Sequence, residues 1–231
     1  MKTLRDFLIV LSLIFHSYFP VAAISAAIFD LNVRIYSPAV LSALILAVTL
    51  AALVFSFICS TPSLINKTVA PIITLFSVAD FSVFFIFADN DAATVFCILS
   101  FVLSVILTVK TFSFIVLKIL FPIAAAVLGV VAFSVSVILA VALALGNRAV
   151  TSSSLSPDGK YRAEITSKNA IVKNGYSVVI YDTDNEVRLP FIHLFSDGEA
   201  VYSDDEINPD DMSWEDSDTL IVKGERITVE N

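Results

Sequence analysis

Histidine and cysteine are scarce in this chain, with two of each in 231 residues. Metal centres and Cys/His catalytic pairs draw on clusters of these residues at set spacings, and no such cluster occurs. Cys59 and Cys97 both fall in apolar runs, so no disulfide staples the C-terminal part. HExxH, GxSxG and Walker-type loops are missing too, which leaves metalloprotease, serine hydrolase and nucleotide-driven chemistry without their residues. No cofactor motif is present. Only Gly129 and Gly146 precede residue 148, so the Gly-broken helices common in transporters have little to build on. Basic residues are in deficit: the net charge is −8. A nucleic-acid partner would call for a basic surface instead.

Apolar residues are plentiful. The chain is 57% hydrophobic with a mean hydropathy of +0.87, against about 45–50% in soluble domains. Charge divides it in two. Residues 1–147 carry five acids and six bases, and residues 148–231 carry 17 acids and eight bases. A helix of about 20 apolar residues crosses the hydrocarbon of a bilayer. Spans are expected at 7–29, 38–59, 69–88, 92–109 and 122–146. The stretch 112–146 is too long for one crossing. Lys118 and Pro122 interrupt it, so 112–121 reads as an interfacial segment and Pro122 as the start of the last span. A long tilted helix from Ala92 to Leu120, followed by the last span, is the alternative. Both give five spans.

Loop charges set the orientation. Lys2 and Arg5, then Lys67, then Lys110 and Lys118 fall on one side. The other side holds Asp30, Arg34, Asp89 and Asp91. This pattern expects a plasma-membrane protein with a cytoplasmic N-terminus and an extracytoplasmic C-terminal region. The basic, then apolar, then small-residue opening also fits a cleavable signal peptide, but the apolar run continues to Phe29 and favours a retained span.

Residues 147–155 read as a polar linker and 156–231 as a small all-β domain. Strands are expected at Tyr161–Thr166, Ser177–Tyr181, Val187–Ile192, Ala200–Tyr202, Thr219–Lys223 and Arg226–Val229. The turn signals are "SPDG" at 156–159, "DTDNE" at 182–186 as a longer hairpin, and "KGER" at 223–226 as a tight one.

"SPDGKYRAEI" followed by "SVVIYDTDNEVRLPF", with "WEDSDTLIVKGERITV" after it, resembles strand pairs from a blade of bacterial TolB-like β-propellers. The order of features is also similar to that in small membrane-anchored proteins of Gram-positive bacteria. The likeness implies a fold family and a binding or structural role, with no catalytic residues. A propeller needs at least about four blades of four strands. This region is too short for that, which leaves a twisted sheet or small sandwich rather than a closed propeller.

Asp80 lies near the middle of the third span, where a charge costs about 2.5–3.5 kcal/mol on insertion scales. It is expected to face the bundle interior, to be protonated or to have a partner. His16 in the first span sits at similar depth, so an Asp80–His16 contact is expected, serving either interhelical hydrogen bonding or proton or ion handling. An intramembrane aspartyl protease would want a second deep aspartate, and there is none. "SDDEINPDD" offers Asp204, Asp205, Glu206, Asp210 and Asp211 as a candidate Ca²⁺ set, with a solvated acidic loop as the plainer account. Trp214 is a core aromatic or a ligand platform. His193 is expected at a surface or sheet edge, and Lys118 to snorkel toward headgroups. The sequence thus describes a five-span helical bundle carrying a small extracytoplasmic β-domain for binding, sensing or assembly. A small transporter-like subunit using Asp80 is the second reading and a membrane-embedded enzyme the third. Its partners are the lipid bilayer and a further membrane protein or cell-envelope component.

Overall fold

The computed structural model describes residues 1–29, 31–59, 61–87, 90–144, 148–169, 174–184, 186–196 and 198–229. Asp30, Ala88, Asp89, Gly146 and Asn147, which entered the loop and span-end readings above, lie outside them. The chain divides into two compact units: residues 1–25 with 34–140, and residues 26–33 with 141–231.

The first unit is helical. Five helices, α1 Lys2–Ile28, α2 Pro38–Ile58, α3 Leu64–Phe87, α4 Asp91–Thr111 and α5 Ile115–Ala144, are each long and apolar enough to cross a membrane. Pro38 opens α2, where its missing N–H costs nothing. Asn90 caps α4 by accepting from the Ala93 N–H at 3.0 Å, and Asp91 and Lys110 lie at the ends that suit their charges. The expected break at Pro122 does not occur. The chain leaves the helix at Phe112, whose backbone is extended, and α5 then runs through Pro122. Membrane helices absorb a proline because neighbouring groups satisfy the freed carbonyl. Helices α1 and α3 likewise start earlier than hydropathy alone implies and hold Pro20 and Pro71 inside them.

Each of the first four helices buries several of its small and hydroxyl residues. On α4, Cys97, Ser100, Ser104, Thr108 and Thr111 are buried at steps of three and four, and Val95, Ile98, Val102 and Ile106 on the other side are exposed. On α2, Ser42, Ile45, Thr49, Ala52 and Ser56 face inward. Lipid tails are as apolar as leucine, so helix association rests on close approach and interhelical hydrogen bonds, which small and hydroxyl residues supply. Helix α5 docks through Phe133, stacked 5.9 Å from Phe81 and edge-on 5.5 Å from Phe85. Gly129 lies opposite Phe101, which an added Cβ would meet at 3.3 Å.

The second unit is antiparallel β. A four-stranded sheet has the order β2 (Arg148–Leu155), β3 (Tyr161–Asn169), β4 (Asn174–Asp182), β7 (Glu199–Asp204). A second sheet joins β8 (Met212–Trp214), β9 (Thr219–Val222) and β10 (Glu225–Thr228). The third joins β5 (Val187–Leu189) and β6 (Ile192–Ser196) to β1 (Leu31–Ile35), a strand from the α1–α2 connection. The period of two sorts the side chains of β3 and β4. Ala163 pairs with Ile180 and Ile165 with Val178, and these four pack with Ile207, Met212, Leu220 and Val222 into an apolar core. Arg162, Glu164 and Thr166 point the other way and are buried as well. The central sheet is therefore covered on both faces.

The architecture is a helical bundle with a small β region and no closed barrel, as the sequence implies. Three local readings change. The expected linker 147–155 contains β2, which pairs with β3 across the "SPDG" turn, because its alternating residues can add an edge strand. "DTDNE" closes no hairpin: β4 pairs with β3 and β7, while β5 pairs with β6. The expected strand Val187–Ile192 is two strands with a tight turn between them, made possible by Phe191 at φ 66°. At "KGER", Lys223 and Gly224 both take positive φ, 50° and 84°, the requirement of a two-residue type I′ hairpin.

Candidate functional site

Asp80 and His16 meet in the bundle interior. Both are about fully buried, at 1% and 0% exposure, and His16 Nδ1 lies 2.5 Å from Asp80 Oδ2. The sequence places them at this depth because α1 and α3 run in the same direction from the same end. The rest of the environment comes from α2 and α4. His16 Nε2 is 3.0 Å from Thr49 Oγ1 and 3.2 Å from Ser100 Oγ. Thr49 also meets Ser12 at 3.1 Å. These hydroxyls were not singled out from the sequence. The three-and-four spacing of hydroxyl residues on α2 and α4 was the available signal.

Hydrogen-bond accounting fixes the tautomer. Thr49 has one hydroxyl proton, and it goes to the Ile45 carbonyl at 2.8 Å. Toward His16 it can then only accept, so Nε2 carries a proton. One proton is left between Nδ1 and Asp80 Oδ2. Whichever atom holds it, the pair is neutral overall, which is the form that burial in a low-dielectric bundle favours. Asp80 Oδ1 has no hydrogen-bond partner among the described residues.

The polar lining continues toward the end of the bundle that carries the N-terminus. Ser77 meets Ser104 at 3.0 Å and Thr74 meets Thr108 at 2.9 Å, across the α3–α4 contact. Thr111 follows one turn on. There a cavity of about 20 Å³ is lined by Ser56, Asn66, Lys110 and Thr111 among others, room for one water. Ser56 Oγ is buried without a partner among the described residues. Arg5, 1% exposed, closes this end by donating to the Thr61 carbonyl at 2.7 Å and pairing with Asp6 at 2.9 Å. In the opposite direction the buried hydroxyl of Ser42 donates to the Ala39 carbonyl of its own helix at 3.2 Å. Phe19 and Phe84, both fully buried, have ring centroids 5.3 Å apart.

The β unit holds a second buried charged cluster. Arg162 lies 3.1 Å from Glu164 and 2.6 Å from Glu186. Its guanidinium sits over the rings of Tyr181 and Phe195, at 5.1 and 5.5 Å. His193 Nε2 bonds Glu186 at 2.9 Å. The edge position expected for His193 is corrected: it is 1% exposed, because β6 is the middle strand of its sheet and turns this side chain inward. Burial lowers its pKa from the ordinary imidazole value, and Glu186 opposes the shift without cancelling it. The unfolded chain protonates near pH 6.5. Below that, and above the folded value, the unfolded state binds more protons, so stability falls as pH falls. Thermal melts followed by Trp214 fluorescence are expected to drop in midpoint from about pH 7.5 to about pH 5.5, across that window. His193→Gln is expected to flatten the drop; an unchanged slope would count against a buried neutral imidazole.

The other candidates are placed apart. Asp204 pairs with Lys223 at 2.7 Å, and this bond holds its carboxyl below the usual range and raises the lysine. Asp211 Oδ2 accepts from the Asn208 N–H at 2.8 Å. Asp205, Glu206 and Asp210 do not complete a ligand set: among the described residues no three His, Cys, Asp or Glu converge on a metal position. Trp214 stacks on Tyr161 at 6.5 Å and donates to the Ser154 carbonyl at 3.4 Å, at the rim of the core. Lys118 is exposed on α5, and Cys59 and Cys97 are buried and free. A cleft of about 680 Å³ opens on the β unit, lined by Tyr161, Asp182, Ser196, Glu199, Val201 and Ile227 among others. That volume is in the range of small-molecule sites, about 300–1,000 Å³.

Fold and site together define a multi-pass helical membrane protein with a C-terminal β-sheet region. Comparison with protein-family models, with characterised proteins and with solved structures finds no match.

Proposed function

We propose that this protein displays its β region on the extracytoplasmic side of the plasma membrane, where the region binds, senses or assembles with a component of the cell envelope. The observation that carries the reading is β1. A strand from the α1–α2 connection belongs to the same sheet as β5 and β6, so the β region is tied to the membrane part at a second point besides α5. The basic residues in the first turns of α1, α3 and α5 and the last turn of α4 (Lys2, Arg5, Lys67, Lys118 and Lys110) fall at one end of the bundle and support a cytoplasmic N-terminus. The acid-lined cleft bounded in part by Asp182 and Glu199 is where a cationic or polar ligand fits. The likeness to a single propeller blade belongs to this proposal, supported by a four-stranded antiparallel sheet that includes the "SPDG" turn.

The test is labelling with a membrane-impermeant maleimide in intact cells. A cysteine placed at Asp158, in an exposed turn, should label, and one at Lys67 should label only after lysis. The reverse pattern would overturn the orientation. A photocrosslinking residue at Glu199 should give a discrete adduct in the same cells that one at the exposed Ser213 does not; equal, diffuse adducts from both would remove the cleft as the binding surface.

The second reading, a transporter-like subunit using Asp80, is favoured by one observation: the ionisable pair sits in a polar lining. Among the described residues its interhelical hydroxyl pairs below the ionisable pair extend toward the N-terminal end of the bundle, which suits a site that takes up and returns an ion better than one that passes it through.

A further inference from the structure

We infer that Asp80 and His16 form a one-proton binding site that exchanges with water from a single end of the bundle, the end carrying the N-terminus. Three features point there. The bond accounting leaves one mobile proton between Nδ1 and Oδ2. Asp80 Oδ1, wholly buried, has no partner among the described residues and can take a second proton or release the pair's first. Access is lopsided: hydroxyl pairs and a water-sized cavity lie on one side, and the Phe19–Phe84 contact lies on the other.

The electrostatic surroundings are sparse. At the level of the pair α1 brings His16, α2 brings only the hydroxyl of Thr49, and α4 brings Ser100 and the buried thiol of Cys97. Helix α5 brings no charged group, its one charged residue among those described being the exposed Lys118. The fixed charges on the helices around the pair stand at their ends: Arg5, Asp6, Lys67 and Lys110 at the N-terminal end of the bundle and Asp91 at the other. Ser77 and Ser104 donate to the Thr74 and Phe101 carbonyls at 2.7 Å at rest, so a proton arriving there passes when these hydroxyls rotate toward one another, each giving up one proton as it accepts another. Ser77 and Asp80, three residues apart on α3, share a face, so the last step is between neighbours. The net change is one proton moved from water to the pair, with no bond to carbon made or broken. The site is independent of which side of the membrane that end faces.

The experiment uses the full chain in nanodiscs, with both faces exposed to buffer. Infrared difference spectra across a pH titration should show one carboxylic C=O band, titrating as a single proton, that Asp80→Asn abolishes. If Asp80→Asn does not fold, His16→Gln, which keeps a donor and an acceptor, should shift the midpoint of that band. After a rapid pH jump, the Ser77→Ala/Ser104→Ala/Thr108→Val variant should respond about tenfold more slowly or worse, and adding Phe84→Ala should restore the rate by opening the other end. The inference fails if no band depends on Asp80, or if the hydroxyl variant responds as fast as the unmodified protein.

Discussion

Arg162→Met is expected to unfold the β region at temperatures where the unmodified protein is intact, with a loss of about 3–5 kcal/mol. Arg162 is the buried cation opposite two buried carboxylates, Glu164 and Glu186. Arg188 also reaches Glu186, at 3.3 Å, but it is 71% exposed and solvent screens it. His193 stays neutral for the reason of burial given above. Removing Arg162 therefore leaves two negative charges in a dry layer, or forces both to take up protons. A domain of this size has total stability of about 5–15 kcal/mol, so the loss is a large share. Trp214 is the only tryptophan and sits in this unit, so its fluorescence reads the transition without interference from the helices. A fall in midpoint of roughly 15 °C or more is expected. Replacing the three together, as Arg162→Met/Glu164→Met/Glu186→Leu, should recover much of it, because swapping a whole buried ion cluster for apolar residues is often neutral. A midpoint unmoved by Arg162→Met would mean the cluster is solvated.

Much of the membrane part was legible because its physics is one-dimensional. Length and apolarity count the crossings, and depth along parallel spans put His16 level with Asp80 before any fold was known. The expected end of the fourth span at 109 lies two residues from the end of α4. What hydropathy could not weigh was the segment after it: Lys118 and Pro122 look like interruptions, yet α5 starts at Ile115 and carries both. In the β region, period two located most strands but not their partners. Pairing depends on sheet order, and nothing in "DTDNE" reveals that β4 turns to β3 and β7. His193 illustrates the same gap. Its neighbours in "PFIHLF" are apolar on both sides, which fits either an edge or a middle strand, and only the arrival of β1 from over 150 residues away in the chain made β6 a middle strand. The serines and threonines of α2 and α4 were visible as a pattern, yet read one helix at a time they were ordinary polar residues of a membrane span.

Asp80→Ala is expected to weaken the helical bundle by about 2 kcal/mol, while Asp80→Asn costs less than about 1. Interhelical hydrogen bonds in membranes average only about 0.6 kcal/mol, with a maximum near 1.7, because the separated helices find other partners. This bond should lie at the top of that range. It joins two ionisable groups at 2.5 Å in full burial, and alanine also leaves a void at a fully buried position. Asparagine keeps the volume and a group for Nδ1 to bond. Bundle unfolding in mixed detergent micelles, followed by helical signal, measures both. The decisive number is the coupling in a double-mutant cycle. If His16 and Asp80 act through each other, the cost of His16→Ala/Asp80→Ala should fall short of the sum of the single costs by about 1–1.5 kcal/mol. Ser100→Ala, which removes a longer contact to the same imidazole at 3.2 Å, should show a smaller coupling to Asp80, since Nε2 retains Thr49. Additive costs would mean that the two side chains are packed near one another without sharing a proton. The neutral pair would then be lost as an account of how an aspartate tolerates the middle of this membrane span.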